Sequence, residues 1–452
     1  MLKRIFFIIL SILIIFPCIS VSAYEVTGFE ITAKSGMLAY LDTEDFYNDS
    51  EILYSDNTNK KVYPAAITNI MTALLVLESD KYSPNAKITM TQKARNDILG
   101  TGVTDSHTKV GEEFTHTDLL HMIIMCSFGD ASCLAADYFY GSHEAFVKKM
   151  NETAKKLGMN NTNFTNPMGI HDSKHYTTVA DIYKLVKYAV KNKTFKEIWA
   201  KPRYTLPATN MQDKRILSTT NFLLVGSNSG YEYSFATGGK TGYTDEAGRC
   251  IVSTASYNGY NYLCILMNSP NNPLKRQELV ECANLFRWAF NNFETRVIAN
   301  SSEPVCEIPL ELSMETDFVP LYFDKPFISV LPKDADESTI VINTKLYSES
   351  VKAPVKKGAV LGEAEVVFAE KVIGKVNLIV GEDVKANAVL KGADIVKSIF
   401  TSKAMIVVYV ILGLGLVGFA VGCVGMNYTK FKKRKVRYIP YNGKERENKH
   451  NR

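Results

Sequence analysis

At 452 residues, 46% of them hydrophobic, the chain is long enough for two or three domains with substantial cores. Its formal charge of +5 is unevenly spread: the segment after residue 426 carries ten Lys and Arg against two Glu, and Lys3 and Arg4 lie at the start. The middle is left near −5, which excludes nucleic acid as the explanation of the basic balance and assigns that balance to the two ends.

Residues 1–23 read as a secretory signal, with Lys3 and Arg4 as the basic region, Ile5 to Ile15 as the apolar run and Val21-Ser22-Ala23 as the cleavage site. From 24 to 293 helical and strand patterns mix. "KKVYPAAITNIMTALLVLE" (60–78) predicts a helix entered at Pro64, with an apolar face through Ile67, Ile70, Met71, Leu74 and Leu77. "FVKKMNETAKKLGM" (146–159) predicts a helix ending at Gly158, and "YTTVADIYKLVKYAVKN" (176–192) one opened by Thr caps. Between them, His171 lies in a turn-rich loop with no evident serine partner and reads as a surface or locally bonded histidine. "CIVSTASY" and "YNYLCILMNS", joined by Asn258-Gly259, predict a hairpin. The preceding "GGKTGYTDEAGRC" (238–250) then puts Lys240 at or near a strand start, its ammonium facing a cleft. "RQELVECANLFRWAFNNF" (276–293) predicts an amphipathic helix that closes the domain.

Residues 294–390 change to short alternating segments with Gly, Pro and Asp turns, an all-β module, and 391–403 read as a linker. Residues 404–426 carry no charge and are long enough to span a bilayer. The basic segment 427–452 follows at once, so the positive-inside rule places it in the cytoplasm, near anionic lipid or a cytoplasmic partner, and places the middle of the chain outside. Six cysteines lie between signal and span without CxxC spacing; they read as buried thiols, with no metal expected.

Lys240-Thr241-Gly242 is one of three signatures of penicillin-recognising serine hydrolases. Such enzymes need Ser-x-x-Lys at a helix start, where residues three apart share a face and the lysine can take the serine proton. The one Ser-x-x-Lys in the chain is Ser106-His107-Thr108-Lys109, in a turn or strand context that reads as coincidence.

The helix at 60–78 instead resembles the first motif of the D-alanyl-D-alanine carboxypeptidases, the low-molecular-mass penicillin-binding proteins of peptidase family S11. That motif, Pro-Ala-Ser-x-Thr-Lys-x-Met-Thr-Ala, stands here as Pro64-Ala65-Ala66-Ile67-Thr68-Asn69-Ile70-Met71-Thr72-Ala73. Ala66 occupies the nucleophile position and Asn69 the base position. The second motif, Ser-x-Asn, resembles "SFGDA": Ser127 is kept and Gly129 replaces the asparagine. The third motif is intact, and the resemblance covers nearly all of residues 25 to 390. It implies an α/β (α+β) penicillin-binding, serine β-lactamase-like domain, a small all-β domain and one C-terminal transmembrane helix. It also implies no cofactor, and a carboxylate grip by Lys240, Thr241 and Gly242, with the backbone N–H of Tyr243 and Ala66 as an oxyanion pocket.

Loss of the nucleophile costs on the order of 10⁶ in kcat in a serine hydrolase. The expectation is therefore a membrane-anchored pseudoenzyme of peptidoglycan metabolism that binds D-Ala-D-Ala stem peptides at the wall-facing side of a cell membrane. The alternatives are a carboxypeptidase rewired to Ser127, with Lys240 as base, and a wall-facing scaffold or signalling protein. Cys126, ending "LLHMIIMC", reads as pointing into the core.

Overall fold

The computed structural model describes residues 24–41 and 52–433. The signal and most of the basic tail lie outside the described residues. Along the chain come β1 (Ser35–Tyr40), β2 (Ile52–Asp56), a 3-10 turn (Ala65–Thr68), α1 (Asn69–Leu77), β3 (Lys87–Thr89), α2 (Gln92–Asn96) and β4 (Glu113–Thr115). α3 (His116–Cys126), α4 (Gly129–Tyr140), α5 (His143–Lys156), α6 (Val179–Ala189) and α7 (Lys193–Trp199) follow. The ribbon β5 (Arg203–Leu206) and β6 (Arg215–Ser218) precedes β7 (Ala236–Thr244), β8 (Gly248–Tyr257), β9 (Tyr260–Ser269) and α8 (Gln277–Asn292).

The central sheet has the antiparallel order β2-β1-β9-β8-β7. It separates two cores because strand side chains alternate between faces. Met37, Val252, Leu263 and Ile265 join the helical core around α1, whereas Leu38, Ile251, Tyr262 and Leu266 pack towards α8. The β8–β9 turn is the expected hairpin, with Asn258 at φ 50° and Gly259 at φ 86° between the paired Tyr257 and Tyr260.

Two expectations change. Regular α-helix begins at Asn69 rather than at Pro64, because Ala65 takes a left-handed φ of 47° and Ala65–Thr68 wind as a 3-10 turn first. From Asn69 to Val76 α1 is also buried on every side, so it is a core helix rather than an amphipathic one. The other predicted helices stand within a few residues of their expected ends; Thr178 caps α6 by accepting from the N–H of Asp181.

The chain divides into two compact units. The first, to Glu303 with 323–345 and 363–377, includes β10 (Phe293–Ala299) paired antiparallel with β13 (Phe327–Pro332). In the second, β11 (Pro304–Glu311) pairs antiparallel with β12 (Phe318–Phe323) and parallel with β15 (Val351–Lys352). β14 (Ile340–Leu346), β16 (Val360–Phe368) and β17 (Lys371–Val380) complete the strands of the C-terminal segment.

The stretch read as a linker is helical: α9 (Ala388–Phe400) is opened by Asn387, whose side chain accepts from the N–H groups of Val389 and Leu390. Val389, Ile395, Val396, Ile399 and Phe400 are exposed on it, and Lys352 pairs with Asp394 at 2.8 Å. The helix α10 (Lys403–Lys433) follows. Within it, Lys403–Tyr428 is long and apolar enough to cross a membrane, with a mean hydropathy of 2.6. Cys126, Cys133, Cys250, Cys264 and Cys282 are buried free thiols.

Candidate active-site cleft

The 3-10 turn Ala65–Thr68 is held between two glycines that leave no room for side chains. A Cβ on Gly169, at φ +87°, would lie 2.0 Å from the Ala65 carbonyl oxygen; one on Gly242 would lie 2.9 Å from the Ala66 nitrogen. Ala65 itself sits at φ 47°, a left-handed conformation unusual for alanine. Ala66 presents a methyl group where chemistry would need a hydroxyl. Asn69 is buried, and its Nδ2 donates to Ser132 Oγ at 2.9 Å, which in turn donates to the Phe128 carbonyl at 3.2 Å. Its Oδ1 makes no hydrogen bond.

Ser127 is the left-handed C-cap of α3, at φ 61°. That turn aims its Oγ at Lys240, whose Nζ donates to it and, at 2.9 Å, to the Thr241 carbonyl. Lys240 is the fifth residue of the nine-residue β7, not its start, because the strand already begins at Ala236 across a register shift. Nor does its ammonium stand open: the side chain is fully buried. Burial pulls its pKa down to about 7, and among the described residues no carboxylate forms a salt bridge with it. Neighbouring Cys126 is buried too; its thiol is pushed up to about 12 by burial, against the charge of Lys240 and a contact from Sγ to the Ser218 carbonyl at 3.5 Å. It is a protonated core thiol at neutral pH.

Gly129 is the first residue of α4, and the space beside it is filled. A Cβ there would lie 2.5 Å from Val103 Cγ2 and 3.1 Å from Ile98 Cγ2. The next residue, Asp130, receives Arg95 Nη1 at 2.7 Å, the Ser106 N–H at 3.2 Å and the Ser106 hydroxyl. Ser106 therefore bonds the buried Asp130 of a half-buried ion pair, while Lys109 reaches the Met211 carbonyl at 3.5 Å; the two do not form a catalytic Ser-x-x-Lys.

On β7, Gly238 is covered by the Trp199 indole, which approaches its Cβ position to 1.8 Å and donates to Thr254 Oγ1 at 3.1 Å. Asn221 holds the Gly238 carbonyl at 3.0 Å, and Thr241 Oγ1 donates to the Thr220 carbonyl at 3.2 Å. Tyr243 is 37% exposed; its hydroxyl donates to Asp245 at 2.5 Å and accepts from Asn271 at 2.8 Å. His171 lies 3.8 Å from Glu246 and edge-on to Tyr63, away from any serine hydroxyl contact among the described residues.

Ser132, Val103, Asn221 and His175 were not singled out by sequence. His175 stands under the first motif: its Nδ1 accepts from the Thr165 N–H at 3.1 Å, so its Nε2 donates to Thr68 Oγ1 at 2.9 Å. Burial drops the pKa of His175 to about 4, as it does for His121, which stacks on Tyr204. Both histidines therefore take up protons on unfolding below about pH 6.5 but not in the folded state. Unfolding free energy should fall between pH 6.5 and 4 by on the order of 3 kcal/mol per histidine and be insensitive to them above pH 7. Urea midpoints measured across that range test this; a flat profile down to pH 4.5 would contradict it.

A fold with a central antiparallel sheet, a core helix opening beneath a Lys-Thr-Gly strand and a serine turn between them defines a penicillin-binding class of protein. Residues 22–271 match the model of the D-alanyl-D-alanine carboxypeptidase family (peptidase S11), and residues 293–386 match that of the penicillin-binding protein 5 C-terminal domain. The chain belongs to the peptidase S11 family, an α/β penicillin-binding domain followed by a C-terminal β domain. It is 30% identical to the D-alanyl-D-alanine carboxypeptidase DacF of Bacillus subtilis over 78% of this chain and 86% of that one. It is 27% identical to DacA of Haemophilus influenzae, over 83% and 92%. The crystal structure of penicillin binding protein 5 from Haemophilus influenzae superposes with a TM-score of 0.65 at 25% identity, covering 80% of this chain and all of that one.

Proposed function

We propose that this chain is a non-hydrolysing member of its family that binds peptidoglycan stem peptides ending in D-Ala-D-Ala. In this reading the helix Lys403–Tyr428 anchors it, with the large domain outside the membrane and the basic tail inside; the tail's ten Lys and Arg directly after the apolar run support that orientation. One observation carries the functional reading. The cleft keeps a fully buried lysine without a carboxylate partner among the described residues, beside an alanine and an asparagine that cannot perform acyl transfer. A substrate carboxylate would supply the missing counter-charge in a desolvated place, where charge-assisted hydrogen bonds are strongest. The free Asn69 Oδ1 is an acceptor suited to a peptide N–H.

Calorimetric titration of the full chain in micelles with an acyl-D-Ala-D-Ala peptide, and with its C-terminal amide, tests this. The acid should bind at least tenfold more tightly than the amide, with no release of D-Ala. Because the carboxylate needs protonated Lys240, affinity should be constant below about pH 7 and weaken about tenfold per unit above it. Equal binding of acid and amide would sink the proposal.

A second reading rests on the hydrogen bond from Lys240 to Ser127, a serine facing an amine whose pKa burial lowers to about 7. It is distinguished by D-Ala release that disappears in Ser127→Ala.

A further inference from the structure

We propose that Cys133, His143, Asp97 and Asp137 form a binding site for a divalent transition-metal ion of the zinc class, at the junction of α2, α4 and α5. Cys133 and Asp137 lie one turn apart on the same face of α4, His143 is the first residue of α5, and Asp97 is the C-cap of α2. None of the cleft residues discussed above belongs to the set.

The distances fit. Zinc bonds of about 2.0–2.3 Å in a tetrahedron separate neighbouring ligand atoms by roughly 3.3–3.8 Å. His143 Nε2 lies 3.4 Å from Asp97 Oδ2 and 3.9 Å from Asp137 Oδ1. The ligand atoms of Asp97, Cys133 and His143 all fall within 4.8 Å of one another, so the sulfur edges need to close by about 1 Å. The donor set of one thiolate, one imidazole and two carboxylates suits zinc better than calcium or magnesium, which take oxygen ligands alone.

Two further observations point to a cation here. His143 Nε2 is shielded from solvent yet makes no hydrogen bond, although its ring is anchored at the start of a helix. Lys93 already places a positive charge against the two carboxylates, 3.0 Å from Asp97 and 2.7 Å from Asp137. Its side chain is 58% exposed, so it can swing into water when an ion replaces it. Cys133, by contrast, is fully buried, with its Sγ 3.3 Å from Met168 Sδ, and forms a fixed floor. Linear spacing cannot reveal such a site, because its four ligands come from three elements.

Bound there, the ion would tie α2 to α4, and α4 begins at Gly129, two residues after Ser127. Its role is structural: it would hold the serine turn and Val103 side of the cleft without touching a substrate.

The test is a titration of the full chain in micelles, stripped with chelator, first with Co²⁺ and then with Zn²⁺. The expected result is a near-ultraviolet thiolate-to-cobalt charge-transfer band, abolished by one equivalent of zinc and absent in Cys133→Ala. His143→Gln should weaken zinc binding at least tenfold, and Lys93→Met should strengthen it by removing the competing charge. Should Cys133→Ala fail to fold, the surface variants His143→Gln and Lys93→Met carry the test by their opposite shifts in cobalt affinity. No band with excess cobalt, a band that persists in Cys133→Ala, or affinities unmoved by both surface variants would overturn the proposal.

Discussion

Replacing Lys240 with methionine is expected to stabilise the fold while abolishing recognition of a carboxylate. The side chain is fully buried and its pKa is drawn from 10.5 to about 7, so at neutral pH the folded state resists a charge that the unfolded chain carries freely. The unfolded state binds more protons between pH 7 and 10.5, and the native lysine's cost is therefore full below pH 7 and fades as pH rises towards 10.5. Methionine fills similar volume without that cost, although the hydrogen bonds to Ser127 and the Thr241 carbonyl are lost. The net gain should be on the order of 2–4 kcal/mol at pH 7 and should shrink by pH 10. Denaturant unfolding at the two pH values measures it. A destabilised Lys240→Met at pH 7 would mean that the ammonium already has a partner that repays its burial, and the binding proposal would lose its principal support.

The second large effect is chemical. After exposure to a penicillin, intact-mass spectrometry of the native chain should show no adduct, because Ala66 has no oxygen to acylate. Restoring Ala66→Ser and Asn69→Lys should produce an adduct of one drug mass, since the backbone of the turn is set by Gly169 and Gly242 and not by the side chain of residue 66. Adding Gly129→Asn alone should not help. A Cβ there overlaps Val103, and forcing it in costs about 1–3 kcal/mol. Val103→Ala must accompany it. An adduct on the native chain would be traced by peptide mapping; its appearance on Ser127 would establish the rewired enzyme instead.

Much of this was legible in the sequence because it was written in local patterns. Alternation announced β8 and β9, Asn258-Gly259 fixed their turn, and an uncharged run marked the helix at 404–426. Periodicity misjudged α1, whose apolar stripe is only part of a helix enclosed on all sides. The site was legible as a set of positions but not as an environment. Nothing in "SFGDA" says that Val103 occupies the room an asparagine would need, since that contact spans 26 residues of chain. Nothing in "GGKTG" says that Lys240 is buried with its Nζ on Ser127, because burial is a property of the assembled fold. Asn69 reads as a missing base, and only the structure gives it Ser132 as a partner.

The clamp that Gly169 and Gly242 place on the turn at Ala65 has a consequence for how activity can come and go. The backbone there is set by two close approaches that do not involve the side chain of residue 66. Serine or alanine can therefore alternate at that position with little effect on folding, and a cell's quality control, which senses unfolded chain, has no means of telling them apart. Exchanging the two removes or restores a single oxygen atom and leaves the clamped turn, and with it the fold, as it was.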